Sequence, residues 1–120
     1  MIEVSVEPER KLVRARMGGL LTVEEVGLYA RLEEEAVRSM GLASGEFYVL
    51  IETDGDMVQT QEVMNAFIEL AKHSPIRAIR IATVRAGALT RMQSRRVAGV
   101  RSDTAVFEDV RSAEAWLFGG

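Results

Sequence analysis

Two short segments near the start of the chain alternate between apolar and polar residues, the pattern of strands buried on one face. The apolar positions are Ile2, Val4 and Val6 in the first segment and Val13, Ala15 and Met17 in the second. Pro8 and its polar neighbours lie between them, and Gly18-Gly19 follows the second. The pattern therefore predicts a β-hairpin at the start of the fold.

A different pattern marks the middle of the chain, where residues 47–51 read Phe-Tyr-Val-Leu-Ile without a polar interruption. Such a run is typical of a central strand in a parallel sheet, with both faces covered. The polar residues 52–56 predict a turn after this strand. Two further strands are predicted at residues 79–84 and 104–107.

Apolar residues at helical spacing predict four helices after the hairpin. The first begins at a capping box formed by Thr22 and Glu25 and ends near Met40. The second spans about residues 60–73, the third follows Gly87 over about residues 89–100, and a short fourth follows an N-cap at Asp109. The third helix is expected to turn Leu89, Met92, Val97 and Val100 toward the core. In the second helix, Phe67 is expected to be deeply buried against the central strand.

The order of these elements is ββαβαβαβα, which predicts an α/β fold. We expect a mixed, mostly parallel sheet with an N-terminal β-hairpin, right-handed crossovers and helices packed on the sheet. The chain has 120 residues and neither a linker-like segment nor an internal repeat. It is therefore expected to form a single domain spanning residues 1–120.

One acidic residue, Glu33, falls within the apolar arc of the first helix. Two interpretations are open. Helix tilt can bring the carboxylate to the rim of the core, where water reaches it. Alternatively, the carboxylate points into a cleft, and burial raises its pKa.

Composition narrows the function classes. The chain has no cysteine, which excludes a disulfide framework, a thiol nucleophile and a thiolate metal site. No apolar run approaches the roughly 20 residues of a membrane span, and the N-terminus lacks a signal-peptide layout, so a cytoplasmic location is the simplest expectation.

Sequence motifs of catalysis are scarce as well. No P-loop, nucleophile elbow or zinc-protease motif is present, and His73, the single histidine, falls at a helix end. Glu52, Asp54 and Asp56 do not follow the spacing of a calcium loop. We therefore expect no catalytic residue, no metal site and no cofactor.

Charge is distributed unevenly. The net charge is -3, yet no acidic residue occurs between Leu70 and Ser102, where eight basic residues fall. Arg91, Arg95 and Arg96 on the third helix are the candidate patch for an anionic ligand or partner. In the alternative interpretation, these charges are solvated and pair with glutamates of the first helix, within the chain or across a homodimer. With a pI of about 5.2, nucleic acid is not an expected partner.

Three segments resemble a known family: residues 18–22 (GGLLT), residues 49–55 (VLIETDG), and residues 106–109 (VFED) followed by 113–117 (AEAWL). Together they make the whole chain similar to the SpoIIAA-like branch of the STAS superfamily, whose members are related to anti-sigma-factor antagonists. The resemblance implies a mixed sheet flanked by helices. It also implies a regulatory, non-enzymatic role in which the domain docks on a partner protein.

The chain departs from that family at the start of the second helix. Antagonists of this kind carry an Asp-Ser-Ser-Gly-like loop with a phosphorylatable serine, whereas residues 58–62 here read Val-Gln-Thr-Gln-Glu. Thr60 is the nearest hydroxyl; a phosphate there would suit a helix N-terminus, but threonine is also a good N-cap. We expect the capping role and no serine switch.

The predicted partner-binding site is this loop and the start of the helix. Its residues are Asp54, Asp56, Met57, Val58, Thr60 and Gln61. Met57 and Val58 either staple the following helix or form an apolar contact point for the partner.

Two function classes remain. The first is the regulatory protein–protein interaction module. The second is a binder or carrier of a small hydrophobic or anionic ligand, because SpoIIAA-like domains are similar in fold to the lipid-transfer CRAL-TRIO domains. A cleft between the helix that carries Tyr29 and the sheet is the expected place for an acyl chain.

Overall fold

The computed structural model describes residues 1–55 and 57–119. It has five strands and four α-helices, in the predicted order. The strands are β1 (Ile2–Glu7), β2 (Leu12–Gly18), β3 (Tyr48–Asp54), β4 (Arg80–Val84) and β5 (Thr104–Phe107). The helices are α1 (Val23–Ser39), α2 (Gln61–His73), α3 (Ala88–Ala98) and α4 (Val110–Phe118), and a short 3-10 turn, Pro8–Arg10, joins β1 to β2.

The five strands lie in the sheet in the same order as in the chain, β1-β2-β3-β4-β5. The first pair is antiparallel, as the hairpin predicts, and the other three pairs are parallel. Every parallel strand is added on the same side of the previous one. Right-handed crossovers therefore place α1, α2 and α3 on one face of the sheet.

The two faces of the sheet have separate apolar cores. On the face covered by α1, Val13, Ala15 and Val49 pack with helix residues that include Val37 and Tyr29. On the opposite face, the apolar side chains pack against α4. The buried members of that second core are Leu12, Leu50, Ala82, Ala113 and Leu117. Coverage on both faces explains why β3 has an unbroken apolar run.

The predicted helix starts are present with their expected hydrogen bonds. The Thr22 side chain accepts from the Glu25 backbone N–H at 3.1 Å, and the Glu25 carboxylate accepts from the Thr22 N–H, completing the capping box. Asp109 accepts from the Ser112 N–H at 2.7 Å and caps α4. These signals are local, and so they are readable from sequence.

The central strand is longer than predicted. Residues 52–54, expected in a turn, extend β3 and pair in register with Arg16, Met17 and Gly18 of β2. Two cross-strand ion pairs accompany the extension, one between Arg14 and Glu52 and one between Arg16 and Asp54. The charged side chains Glu52 and Asp54 thus lie on the sheet face that α4 leaves partly open.

Helix α3 is rotated from its predicted orientation. Leu89 and Met92, expected in the core, are 66% and 59% exposed, whereas Thr90, Ser94 and Ala98 face inward. Small residues at a four-residue spacing let the helix approach the sheet closely, and each inward hydroxyl has a hydrogen-bond partner. Leu89 and Met92 are left on the outer side, whereas Val97 and Val100, also expected in the core, are half-buried.

Within the described residues, no helix combines the length and the apolar character needed to cross a membrane.

Candidate functional site: a cavity beneath the second helix

A cavity lies between the sheet and the three helices on its α1 side. Helix α1 packs over β1 and β2, α3 packs over β5, and α2 lies between those two helices. Helix α2 lies over the middle of the sheet, where Val63 and Phe67 belong to the same apolar cluster as Ile51 of β3. Part of the space between α2 and the sheet is left open. The cavity leaves about 100 Å³ for the centres of water-sized molecules, far above the roughly 10–15 Å³ that one water needs.

The middle of the cavity is apolar. Its floor includes Ile51 of β3 and Ile81 of β4, and its roof includes Phe67 and Leu70 of α2. Phe67 is only half-buried, so the prediction that it is deeply buried against the central strand is wrong. Its ring packs with the cluster that contains Val63 and Ile51 and also borders the cavity.

The cavity runs along β4, from Ala78 before the strand to Arg85 after it. Seven residue steps at about 3.3 Å each correspond to roughly 23 Å of extended chain. The long axis thus leads from the amino ends of the parallel strands to their carboxyl ends. Polar side chains are found at both ends.

At the amino end, Glu33 lines the cavity and is 7% exposed. Its Oε2 atom accepts a hydrogen bond from the Tyr29 hydroxyl at 2.9 Å. Burial raises the pKa of the Glu33 carboxyl, although the Tyr29 hydrogen bond and the charge of Arg101 oppose that rise. Of the two interpretations made from the sequence, the structure has the second, a carboxyl group pointing into a cleft.

Arg101 is the cation at this same end. It lines the cavity and is held by Asp103, which accepts from Nε at 2.8 Å and from the terminal nitrogen Nη2 at 2.7 Å. The Arg101 guanidinium lowers the pKa of the Asp103 carboxyl against the opposing effect of burial. This bidentate pair fixes the guanidinium and offsets its charge.

At the carboxyl end, Arg85 donates from Nε to the Ser94 hydroxyl at 2.9 Å. Gln59 and Gln93, which also line the cavity, hold each other reciprocally: the Gln59 N–H donates to Gln93 Oε1 at 2.7 Å, and Gln93 Nε2 donates to the Gln59 carbonyl at 2.9 Å. The Gln59 side chain also accepts from the Leu21 N–H and donates to the Gly19 carbonyl. Gln59 thus ties together the loops after β2 and β3 and helix α3.

Sequence reasoning passed over Gln59, Ser94 and Arg85. A single glutamine in the loop between Val58 and Thr60 carries no periodic signal that marks it as buried. Ser94 sits on the helix face expected to be exposed, because Leu89 and Met92 dominate the apolar pattern. Its partner Arg85 lies nine positions away, and only the fold brings the two together.

The predicted partner-binding residues lie at the carboxyl edge of the sheet. Met57 and Val58 are each 46% exposed, and Asp54 is exposed and paired with Arg16 at 2.9 Å. Gln61 is exposed and donates to Asn65. Asp56 lies outside the described residues.

Thr60 is the N-cap of α2, and its hydroxyl accepts from the Val63 N–H at 3.2 Å. This is the capping interaction expected from the sequence.

Exposed apolar side chains follow the carboxyl ends of three neighbouring strands. We call these residues the apolar rim: Leu20, Met57, Val58, Leu89 and Met92. The hydrogen bonds of Gln59 hold two of the loops that carry them against each other. The rim is therefore a structured surface.

The predicted basic patch is divided. Arg91 is 16% exposed, donates to the backbone carbonyls of Arg85 and Ala86, and lies 3.4 Å from Glu108. It closes the turn before α3, so its place in a solvent-facing patch with Arg95 is contradicted. Arg95 and Arg96 are exposed. The acidic neighbour of Arg91 is Glu108, not a glutamate of α1.

Comparison with known proteins confirms the fold. The chain is similar to the crystal structure of an uncharacterized protein from Shewanella loihica PV-4, a DUF3478 family protein described as having a SpoIIAA-like fold. The TM-score is 0.61 at 22% sequence identity, over 98% of this chain and 92% of that chain. The fold is thus SpoIIAA-like, as the sequence predicted. No protein-family model and no curated protein sequence matches the chain.

Proposed function

We propose that this domain is a non-enzymatic binder of a small, mainly apolar molecule, which lies in the cavity beneath α2. The observation that carries the proposal is the cavity itself, which has an apolar middle and polar groups at each end. A protein of this size ordinarily fills its interior to the density of an organic crystal. An apolar space with a few ordered polar side chains at its ends has the character of a ligand site.

The side chains around the cavity favour binding over catalysis. The ionisable side chains at its amino end already have partners, because Glu33 accepts a hydrogen bond from Tyr29 and Arg101 is paired with Asp103. His73 lies on the surface, 3.3 Å from Glu69, and is not part of the cavity wall. We therefore propose that the domain holds its ligand without transforming it, in the cytoplasm.

The test is to fill the cavity from its roof. Ala71 lines the cavity on α2, so Ala71→Phe places a ring in the ligand space. Ala115→Phe adds the same volume at an exposed position of α4 and is the matched control. Native mass spectrometry and analysis of solvent-extracted small molecules should find a bound compound in the wild type and in Ala115→Phe. Ala71→Phe should lose it.

Melting temperatures measured with added compounds complete the test. The wild type should gain thermal stability with a medium-chain aliphatic compound, and Ala71→Phe should not. If wild type, control and Ala71→Phe all carry no extractable compound and give the same melting temperature with every compound added, the ligand proposal is wrong.

A second candidate is the regulatory interaction module, for which the exposure of the apolar rim is the supporting observation. Met57 and Val58 are each 46% exposed. The occupant we propose is a regulatory protein that presents an apolar surface to the rim. Such side chains, held in place and exposed together, are characteristic of docking sites.

The rim test compares two double variants. Met57→Ser with Val58→Ser removes apolar surface from the rim, whereas Leu28→Ser with Ile79→Ser removes it from exposed positions elsewhere. The rim variant should lose the partner captured by the wild type while its melting temperature stays within a few degrees. Equal capture by both variants would exclude the rim as the docking site.

A further inference from the structure

A buried carboxyl group, that of Glu33, lies at the amino end of the cavity. Glu33 and Tyr29 are joined there by one hydrogen bond, which occupies Oε2 of the carboxyl group. Within the described part of the chain, no donor reaches the other oxygen, Oε1. Because no buried polar side-chain atom of that part lacks a partner, Oε1 is open to the cavity.

The charges around Glu33 decide which headgroup suits this end. On α1 its neighbours are the neutral Tyr29 and the acidic Glu34, and from the segment after α3 it faces Arg101. Asp103 offsets the charge of Arg101 through a bidentate ion pair. The α2 residues that line the cavity carry no charge. Ionised Glu33 would therefore leave this end with an excess of negative charge.

We propose that the ligand of this cavity is an amphipathic amine, whose ammonium group binds Glu33 and whose apolar body lies between α2 and strands β3 and β4. The inference rests on the proposed ligand-binding function and specifies its chemical class. An ammonium group has three donors and no acceptor, which matches an open carboxylate oxygen. It also supplies the positive charge that this end of the cavity lacks, whereas a carboxylate headgroup would be repelled.

The protonation of Glu33 makes the preference pH-dependent. Burial raises the pKa of this carboxyl, so below its titration range the group is neutral and attracts an ammonium weakly. Above that range the group is ionised, and the hydrogen bond is charge-assisted and roughly twice as strong. Amine binding should therefore strengthen as the pH rises, while binding of a neutral alcohol should not.

The experiment compares three compounds with the same chain and different headgroups: octylamine, octanol and octanoate. Calorimetric titration of the full chain at pH 8 should give an affinity for octylamine about tenfold or more above that for octanol. Octanoate should bind most weakly. The ratio of the octylamine to the octanol affinity should fall toward one as the pH is lowered to about 4.5.

Glu33→Gln should bind octanol as the wild type does and lose the preference for octylamine. Glu35→Gln, at an exposed position of the same helix, should keep that preference. If Glu33→Gln does not fold, the pH dependence of the wild-type ratio tests the inference without it. Equal affinities for all three compounds at pH 8, or a ratio that is constant with pH, would overturn the amine inference and leave the ligand-binding function standing. Binding of none of the three at any pH would count against both.

Discussion

At the scale of single residues, Glu33 is an acidic residue on the otherwise apolar inner face of α1, and the structure explains its position. The side chain falls on the inner face of α1 because its position in the helix leaves no other direction, and it ends in the cavity wall. The Tyr29 hydroxyl compensates part of the cost of burial by donating to Oε2. The remaining cost appears as the raised pKa of the carboxyl group.

The pH dependence of stability follows from that pKa. Folded Glu33 keeps its proton to a higher pH than unfolded Glu33, so the native state binds more protons between the two titrations. Stability contributed by this group is complete below about pH 4.5, the ordinary value for a glutamate, and falls as the pH rises through the folded pKa. Glu33→Gln should therefore have the same melting temperature as the wild type near pH 4 and a higher one at pH 8.

Melting curves from pH 4 to pH 8 measure this difference. Glu35→Gln, exposed on the same helix, is the control and should follow the wild type at every pH. A gap between Glu33→Gln and the wild type that is constant over the range would mean that the carboxyl group does not titrate abnormally.

Sequence reasoning at the residue scale succeeded where a partner lies a few positions away and failed where the partner is distant. Thr22, Thr60 and Asp109 cap helices through backbone groups three residues on. Arg91 looked like a surface charge, yet it donates to carbonyls of the preceding turn and lies beside Glu108 of the segment after β5. That contact exists only once the parallel strands have brought the two loops together.

At the scale of elements, α4 is held to the sheet by charge as well as by apolar contact. Arg14 of β2 donates to Glu114 of α4 at 2.7 Å, to Glu52 of β3 at 3.0 Å and to Glu7 of β1 at 2.9 Å. Arg10 pairs with Glu7 and Glu114. Its hydrogen bonds and those of Arg14 lower the pKa of both carboxyl groups. One arginine thus joins three strands and a helix.

Replacing Arg14 with methionine should lower the free energy of unfolding by about 2 kcal/mol, because three charge-assisted hydrogen bonds are lost from a partly buried site. Arg16→Met is the matched control on the same strand and face, where the pair with Asp54 is half exposed and screened by water. Urea unfolding of both variants measures the difference. If the two variants lose the same stability, Arg14 does not hold α4 to the sheet.

Helix α3 shows why element orientation was harder to predict than element position. Its limits followed from Gly87 and from the length of the pattern, but its phase was assigned from Leu89 and Met92. The rule that large apolar residues face inward failed because the inward face must fit close to the sheet and to Arg85. Thr90 and Ser94 meet that requirement by size and hydrogen bonding, which apolar periodicity does not detect.

At the scale of the whole molecule, the cavity divides the interior into a filled part and an open part. Phe47 belongs to the filled part and is fully buried. Phe67 belongs to the wall of the open part. No periodic pattern predicts such a cavity, because its lining comes from every strand except β1 and from three helices.

Alanine substitutions of Phe47 and Phe67 should lower the free energy of unfolding by different amounts, because one ring lies in the filled part and the other borders the open part. Phe47→Ala should cost about 3–5 kcal/mol, since it opens a hole in a packed core. Phe67→Ala should cost about 1–2 kcal/mol, since its ring is half-buried and borders the cavity, so fewer packing contacts are lost. Chemical denaturation of the ligand-free protein gives both numbers. A cost for Phe67→Ala equal to that of Phe47→Ala would show that the Phe67 ring is as tightly packed as the core and does not border an open space.

The sequential strand order has a consequence for how the protein is made. Because each strand pairs with the one that precedes it in the chain, a sheet emerging from the ribosome can add one strand at a time to an edge that already exists. We expect the growing chain to fold as it is synthesised, with the newest strand as the temporary edge. The contacts of α4 form last, when Glu114 reaches back about a hundred residues to Arg10 and Arg14. A nascent chain released before that helix would expose the apolar face of β3 and β4, which makes premature termination a route to aggregation.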